Sequence, residues 1–380
     1  MISVLIAPDS FKGTLSAAEV CDIAERAFND IFDNIRVTKL PAADGSEGLC
    51  ACFEGFAKGK RIQAQVSGVF GEKMTAEYFM LENGTAVIET ASCAGLVLAG
   101  DKKDPEKTTT LGVGELMLHA KANGASAILL GLGGSATNDC GIGMAEALGW
   151  RFLDGNGNAV APFGKNLSEI IKIIPPEKPF DLPVVAACDV ENPLFGETGA
   201  AYVFAPQKGA DKDAVIRLDS GLRSIAEIIK KYVGKDVSYE KGAGAAGGMG
   251  AGALAFLNAT LKKGIDIILD ESGFDSAAKD CDLVVTGEGR LDSQSADGKV
   301  ISGIAKRAQS LGKKVIAVCG CRGEGAEKIL ECGVSRMYFS EESEKPLTEI
   351  LPRCRENLYH AVCKAAIEYK ESLKWKKSLH

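Results

Sequence analysis

The chain has 380 residues, 44 Lys and Arg against 51 Asp and Glu for a net charge of −7, 46% hydrophobic residues and 44 glycines. That apolar content excludes a disordered chain, and the acidic balance excludes a general binder of nucleic-acid backbones, which needs clustered Lys and Arg. The length suits two domains or one large one, and no apolar run approaches the roughly 18–20 residues of a membrane span.

The predicted elements begin with a short strand over residues 4–7. No positive residue precedes it and it ends in Pro8-Asp9, so it reads as a first strand rather than a signal peptide, and a cytoplasmic location is expected. Residues 16–32 carry helical spacing, with Ser16 as N-cap and Glu19 completing a capping box. A strand over 36–40 and a helix over 47–56 follow. Residues 61–69, 72–81 and 86–89 alternate like antiparallel strands, with Asn83-Gly84 as a turn. A helix over 111–122, a strand over 127–130 and a helix over 139–148 come next, then a proline-rich loop and a strand over 184–187. Long helices are predicted over 211–232 and 247–261. The last part again alternates strand and helix, over 283–286, 299–310, 315–318, 326–331 and 335–338, and closes with a helix over 347–373. Such alternation implies parallel sheet with right-handed crossovers. Beginning and end share one texture and the middle has another. The expected organisation is therefore α/β with two domains, a discontinuous one of residues 1–70 plus 280–380 and an inserted one of residues 71–279.

The twelve cysteines fall mostly within predicted elements and are expected as thiols. The pairs Cys50/Cys52 and Cys319/Cys321 lack the spacing of a zinc site.

Five segments place polar and charged residues among glycines just after apolar strands, where open α/β sheets bind ligands. They are residues 8–13 (PDSFKG), 43–48 (ADGSEG), 131–141 (GLGGSATNDCG), 188–193 (CDVENP) and 286–295 (TGEGRLDSQS). Asp and Ser there are also ordinary N-caps and Gly ordinary turn chemistry, but five such segments in one chain exceed what capping needs. Residues 131–136 satisfy a permissive dinucleotide fingerprint, with Asp154 near the distance of a ribose-binding acid. The hydroxyls of Ser135 and Thr137, with Asn138 and Asp139, suit phosphate binding at least as well, and Asp139 could reach a metal. Residues 242–250 (GAGAAGGMG) follow no apolar strand; they read either as a phosphate-cradling helix start or as close packing of small residues. No Walker loop, Gly-x-Ser-x-Gly or His-Glu-x-x-His is present. With only His119, His360 and His380 available, acid–base work falls to Asp9, Asp44, Asp139, Asp189, Glu288 and Asp292, with Lys12, Arg290 and Lys299 as cations. Several acids, few cations and glycine loops fit phosphoryl transfer.

These segments, in this order, resemble the bacterial glycerate kinases of the first class. The matching stretches are APDSFKGTLSA (7–17), ADGSEG (43–48), GLGGSATND (131–139), CDVENPLFGETGAAYVFAPQKGA (188–210) and TGEGRLDSQSADGKV (286–300). The chain departs from the family's usual pattern at Ser46, Cys140 and Lys299-Val300-Ile301, beside the charged positions rather than at them. The resemblance implies ATP-dependent phosphorylation of D-glycerate with Mg²⁺, to 2-phosphoglycerate. It also implies a flavodoxin/Rossmann-like parallel-sheet domain with a second α/β domain inserted and a cleft between them.

On this reading Lys12 and Arg290 hold the glycerate carboxylate, with Asp9, Ser10 and Asp292 also on the substrate. Gly133, Gly134, Ser135, Thr137 and Asn138 take the nucleotide phosphates. Asp189 is the first choice to position and deprotonate the hydroxyl, with Asp44 and Asp9 as the runners-up or as Mg²⁺ ligands; Lys12 is also counted as catalytic and Asp139 as a metal ligand. The expected partners are the small molecules D-glycerate and ATP, with no nucleic acid and no membrane. The alternatives are phosphorylation at the 3-hydroxyl, a nicotinamide-dependent dehydrogenase of a small organic acid using Asp154, and a non-catalytic organic-acid binding protein.

Overall fold

The computed structural model describes residues 1–42, 48–296, 300–343 and 345–377. Its strands, in chain order, are β1 (Ile2–Ile6), β2 (Ile35–Lys39), β3 (Gly59–Ser67), β4 (Lys73–Leu81), β5 (Thr85–Glu89), β6 (Ala127–Gly131), β7 (Arg151–Leu153), β8 (Lys172–Ile174), β9 (Val184–Ala187), β10 (Thr260–Lys262), β11 (Leu283–Thr286), β12 (Arg290–Leu291), β13 (Val315–Arg322) and β14 (Val334–Glu341). Two compact units are present. The first comprises residues 1–44, 51–57 and 265–380; the second comprises residues 45–50 and 58–264. Among the described residues no helix is long and apolar enough to cross a membrane.

The first unit is built on a parallel sheet. β1 pairs with β2 on one side and β11 on the other, and β13 pairs with β11 and β14. Cys321 of β13 faces Glu341 on one edge and Arg290 on the other, so β12 continues the lane of β11. The order β2-β1-β11-β13-β14 is the flavodoxin-like arrangement. Between β11 and β12 the chain steps out through Gly287-Glu288-Gly289. A Cβ at Gly287 would overlap the Val318 carbonyl, and one at Gly289 would lie 3.0 Å from Phe11 Cα. The helix Ala17–Ile31 starts on the expected capping box: Glu19 N–H donates to Ser16 Oγ at 3.3 Å and Ser16 N–H donates to Glu19 Oε2 at 2.9 Å. Its stripe Val20, Ala24, Ala27 and Phe28 is buried in one core with Leu358, Ala361 and Ala365 of the helix Cys354–Lys377. Burial of each large apolar side chain there contributes about 1.5–3 kcal/mol. The single helix expected over 347–373 is instead two, Leu347–Ile350 and Cys354–Lys377. Pro352 lies in the break, where it has no N–H to continue a helix.

The second unit has a mixed sheet in the order β10-β9-β6-β5-β4-β3. β5, β6, β9 and β10 are parallel neighbours, while β3, β4 and β5 are antiparallel. β3 pairs with β4 along all nine residues, which holds 59–67 in this unit. The Asn83-Gly84 turn forms as read, with Gly84 at φ 85° and Thr85 N–H donating to Asn83 Oδ1 at 2.9 Å. The helix Leu111–Ala122 buries Leu116, Met117 and Ala120 against the sheet core. The antiparallel pair β7–β8 was not anticipated, because each strand has only three residues.

The two readings of residues 242–250 are resolved in favour of close packing. Ala246, Gly247 and Gly248 all have positive φ, and helical backbone resumes from Met249 to Phe256. A Cβ at Gly247 would overlap the Thr137 carbonyl oxygen and lie 2.6 Å from Asn138 Cα; one at Gly252 would overlap the Cys140 carbonyl. Cys140 N–H donates to Gly247 O at 3.1 Å. The glycines therefore let this segment lie directly on the backbone of residues 137–140. The helix stops at Phe256 rather than running to 261, because Asn258 turns left-handed (φ 54°) and 260–262 join β9 as β10.

Gly247→Ala combines left-handed strain with overpacking and is expected to lower stability by roughly 2–4 kcal/mol in urea unfolding. Gly157→Ala, at φ 83° with no atom within 4 Å of its Cβ, carries the strain alone and should cost about 1–2 kcal/mol. Equal losses in the two variants would contradict the packing role of Gly247.

Candidate functional site

In the first unit β1 leads on to β2 at one side and β11 to β13 at the other. The strand order reverses between β1 and β11, where open α/β sheets bind ligands. The loops leaving these two strands line one cavity of about 470 Å³. From the first loop come Asp9, Ser10 and Lys12; from the second come Glu288, Arg290 and Asp292; Glu341 at the end of β14 and Lys345 just beyond it complete the lining. The cavity thus collects every sequence-predicted substrate residue.

Backbone bonds fix these loops. Asp9 N–H donates to Gly287 O at 2.8 Å, tying the two together, and Phe11 and Leu15 bond each other's backbone at 2.7 and 3.0 Å, so that Lys12 sits on a tight exposed turn. Asp9 is buried, and its Oδ1 accepts from Ser10 N–H at 2.6 Å and from Ser10 Oγ at 3.3 Å. Arg290 is half exposed, with Nε 3.7 Å from Asp292 Oδ2. Asp292 also shapes its own turn: Oδ1 accepts from Gln294 N–H at 3.0 Å, and its N–H donates to Ser295 Oγ at 3.1 Å. Glu341 is held by Lys345 and Asn357, and the Lys345 ammonium keeps its carboxyl below the usual range. The lining therefore combines exposed cations, Lys12 and Arg290, with buried acids, Asp9 and Glu288.

In the second unit, residues 132–141 leave the carboxyl end of β6 and lead to the helix Ile142–Ala147. Leu96 N–H donates to Gly134 O at 2.8 Å, Ala136 N–H to Ala94 O at 2.8 Å, and Thr108 Oγ1 to Ala136 O at 3.0 Å. Gly133 and Gly134 stay partly exposed, whereas Ser135, Thr137, Asn138 and Asp139 are buried. Both amide atoms of Asn138 lack a hydrogen-bond partner among the described residues.

Asp139, expected as a metal ligand, is fully enclosed. Its Oδ2 accepts from Thr110 N–H at 2.8 Å, Thr110 Oγ1 at 2.8 Å and Gly143 N–H at 3.3 Å; its Oδ1 accepts from Gly141 N–H at 3.1 Å. Burial raises its carboxyl above the usual range against the opposing pull of those donors. The carboxylate is thus occupied in stitching the loop to the start of the helix Leu111–Ala122, not presented to a ligand. Asp154 also fails as a ribose-binding acid. It is half-buried just after β7, outside the parallel sheet, and its carboxylate accepts from Asn156 N–H, Asn158 N–H and Asn158 Nδ2 within its own turn. Asp189 lies just beyond β9, its Oδ1 accepting from Gly264 N–H at 2.9 Å. Asp44 lies outside the described residues.

Sequence reasoning missed Lys208. This lysine is 3% exposed, and its Nζ donates to Ser135 Oγ at 2.9 Å and to Thr137 O at 2.8 Å. Burial pushes its ammonium down to about 7, with Asp139 pulling the other way. The signal in the sequence was slight: Pro206-Gln207-Lys208-Gly209 looks like a solvent-facing turn.

The Lys208 shift has a sign that can be measured. The unfolded chain keeps an ordinary lysine, near 10.4, so between pH 7 and that value it binds more protons than the folded protein. The cost of burying the charge is fully present below pH 7 and fades as pH rises through the window. Between pH 7 and 9 the wild type should gain roughly 2 kcal/mol over Lys208→Met in urea unfolding. Parallel stability curves for the two proteins would show that Lys208 keeps its usual proton affinity.

A family model described as the glycerate kinase family matches residues 4–370. A glycerate kinase of Bacillus cereus is 42% identical over 362 residues, covering 94% of this chain and 95% of that protein. A glycerate 2-kinase of Escherichia coli is 41% identical over 367 residues, covering 95% and 96%. The crystal structure of a protein described as glycerate kinase 2 from Salmonella typhimurium LT2 superimposes with a TM-score of 0.87 at 37% identity, covering 98% of this chain and 99% of that one. With matches of this extent, the chain belongs to the glycerate kinase family.

Proposed function

We propose that this enzyme transfers the γ-phosphoryl group of ATP to the 2-hydroxyl of D-glycerate in the cytoplasm. The observation that carries the reading is the cavity at the β1/β11 reversal, where Asp9, Ser10, Lys12, Arg290 and Asp292 converge on one small space. The 2-hydroxyl is favoured over the 3-hydroxyl because a relative bearing the name glycerate 2-kinase covers nearly the whole chain. The discontinuous domain with an insertion belongs to the same reading.

In this mechanism Lys12 and Arg290 take the glycerate carboxylate by charge-assisted hydrogen bonds, which select an acid over a neutral polyol. Gly133 to Asn138 hold the nucleotide phosphates, the partnerless amide of Asn138 offering both a donor and an acceptor. Asp189 receives the hydroxyl proton as the oxygen bonds to the γ-phosphorus, and the bond to the ADP oxygen breaks. Mg²⁺ takes oxygen ligands and retains phosphate and water in its shell, so one or two carboxylates suffice. Asp9, in the cavity, fits that requirement, and Asp44 is the second candidate; Asp139 is assigned to the fold instead. Bound Mg²⁺ supplies neutralising charge to the phosphate oxygens.

Purified protein given D-glycerate, ATP and Mg²⁺ should yield 2-phosphoglycerate by phosphorus NMR. A 3-phosphoglycerate signal would reassign the hydroxyl, and intact ATP would remove the kinase reading. Arg290→Met should raise the KM for glycerate roughly 10–100-fold while the KM for ATP stays within threefold, as loss of a charged hydrogen bond requires. Asp189→Asn should lower kcat at least 100-fold with little change in melting temperature. Near-normal turnover in that variant would reject Asp189 as the base.

A further inference from the structure

The loop of residues 133–138 rests on a buried cation that the proposed mechanism does not use. Lys208 is the last residue of the short turn Pro206–Lys208, and its ammonium meets two neutral acceptors, Ser135 Oγ and Thr137 O. An ammonium has three protons, and the third has no acceptor among the described residues. The nearby carboxylate of Asp139 is turned to Thr110, Gly141 and Gly143 instead. On the neighbouring segment Lys103 and Lys107 are exposed, and Asp104 pairs with Lys107 at 2.8 Å. A buried charge held only by neutral acceptors is costly, and a fold needing only a pin here could use an uncharged donor. The same loop carries the two orphaned amide atoms of Asn138 and shows its partly exposed face at Gly133 and Gly134.

We propose that Lys208 is a positioning residue for the nucleotide phosphates. From beneath, it sets the shape of the 133–138 loop through Ser135 and Thr137, and it supplies the positive charge that an incoming polyphosphate neutralises. This rests on the reading that the loop binds the nucleotide. The ligand chemistry it serves is an anionic phosphate chain, so its loss should fall on ATP and spare glycerate.

Two measurements test it. Hydrogen exchange of the wild type with and without ATP examines the underlying reading: protection should appear in peptides covering 132–141, and none there would remove both that reading and this proposal. Steady-state kinetics and ATP titration of Lys208→Met and Lys208→Arg then examine Lys208 itself. Lys208→Met should lose at least tenfold in kcat/KM for ATP and in ATP affinity, with the KM for glycerate within threefold. Lys208→Arg, which keeps the charge, should recover most of that loss. A folded Lys208→Met that binds ATP as the wild type does, while the loop is still protected by ATP, would overturn the role of Lys208 and leave the nucleotide loop intact. Equal loss in both variants, or failure of both to fold, would assign Lys208 to the fold and overturn the proposal as well.

Discussion

The second unit depends on one buried carboxylate. Asp139 gathers Thr110, Gly141 and Gly143 around itself, and so joins the loop after β6 to the starts of two helices. Taking a carboxylate out of water costs several kcal/mol unless its lone pairs are filled, and here both oxygens are. The positive neighbour that offsets part of the cost is Lys208, itself buried and itself bonded to the same loop. The two charges do not form a tight pair. Each is satisfied mainly by neutral donors or acceptors, and each acts on the other through a poorly solvated interior, where Coulombic influence carries further than in water. Removing Asp139 would strand Lys208 as well as unfasten the loop, so the two residues should behave non-additively.

The segment 242–250 completes that arrangement from another direction. Its glycines bring backbone against backbone at residues 137–140, leaving no room for a side chain. The polar loop is consequently enclosed by main chain on one side and by Lys208 on another, with Gly133 and Gly134 left at the surface. A loop held this way loses little freedom when a ligand arrives, since its shape is already determined. The first unit solves its problem differently. Its cavity is lined by the loops after β1 and β11, and the tie between Asp9 N–H and Gly287 O aligns two strand ends that bury Asp9 and Glu288 but leave Lys12 and Arg290 exposed.

Much of this was legible in the sequence, and the reasons for the remainder are physical. The Ser16/Glu19 capping box, the Asn83-Gly84 turn and the loops after β1, β6, β9 and β11 are local signals, read from neighbours in sequence. Local signals do not say which way a side chain faces. Asp139 stands in a glycine loop among hydroxyls, the composition of a ligand site, yet its carboxylate is turned inward, to the nearby N–H groups of Gly141 and Gly143 and to Thr110, 29 residues away, which only the tertiary fold supplies. Lys208 is the converse. Its own sequence neighbours describe a surface turn, and its partners lie 71 and 73 residues away. Periodicity also carried two helices too far, across Pro352 and past Asn258, where a missing donor and a left-handed residue ended them.

On the proposed reading, residues 133–138 have to attract phosphate charge without being neutralised by their own protein. A carboxylate beside the phosphates would repel them, and a fully paired lysine would have no charge left to offer. Turning Asp139 away toward N–H donors removes the first difficulty, because those donors absorb its negative character. Giving Lys208 only neutral hydrogen-bond acceptors removes the second, because its ammonium is anchored in position without being locked into an ion pair. The cost is the desolvation of both groups, which the fold must cover with its packed core. On this argument the acid and the lysine are one device: the acid sustains the cation in the interior, and the cation serves the loop.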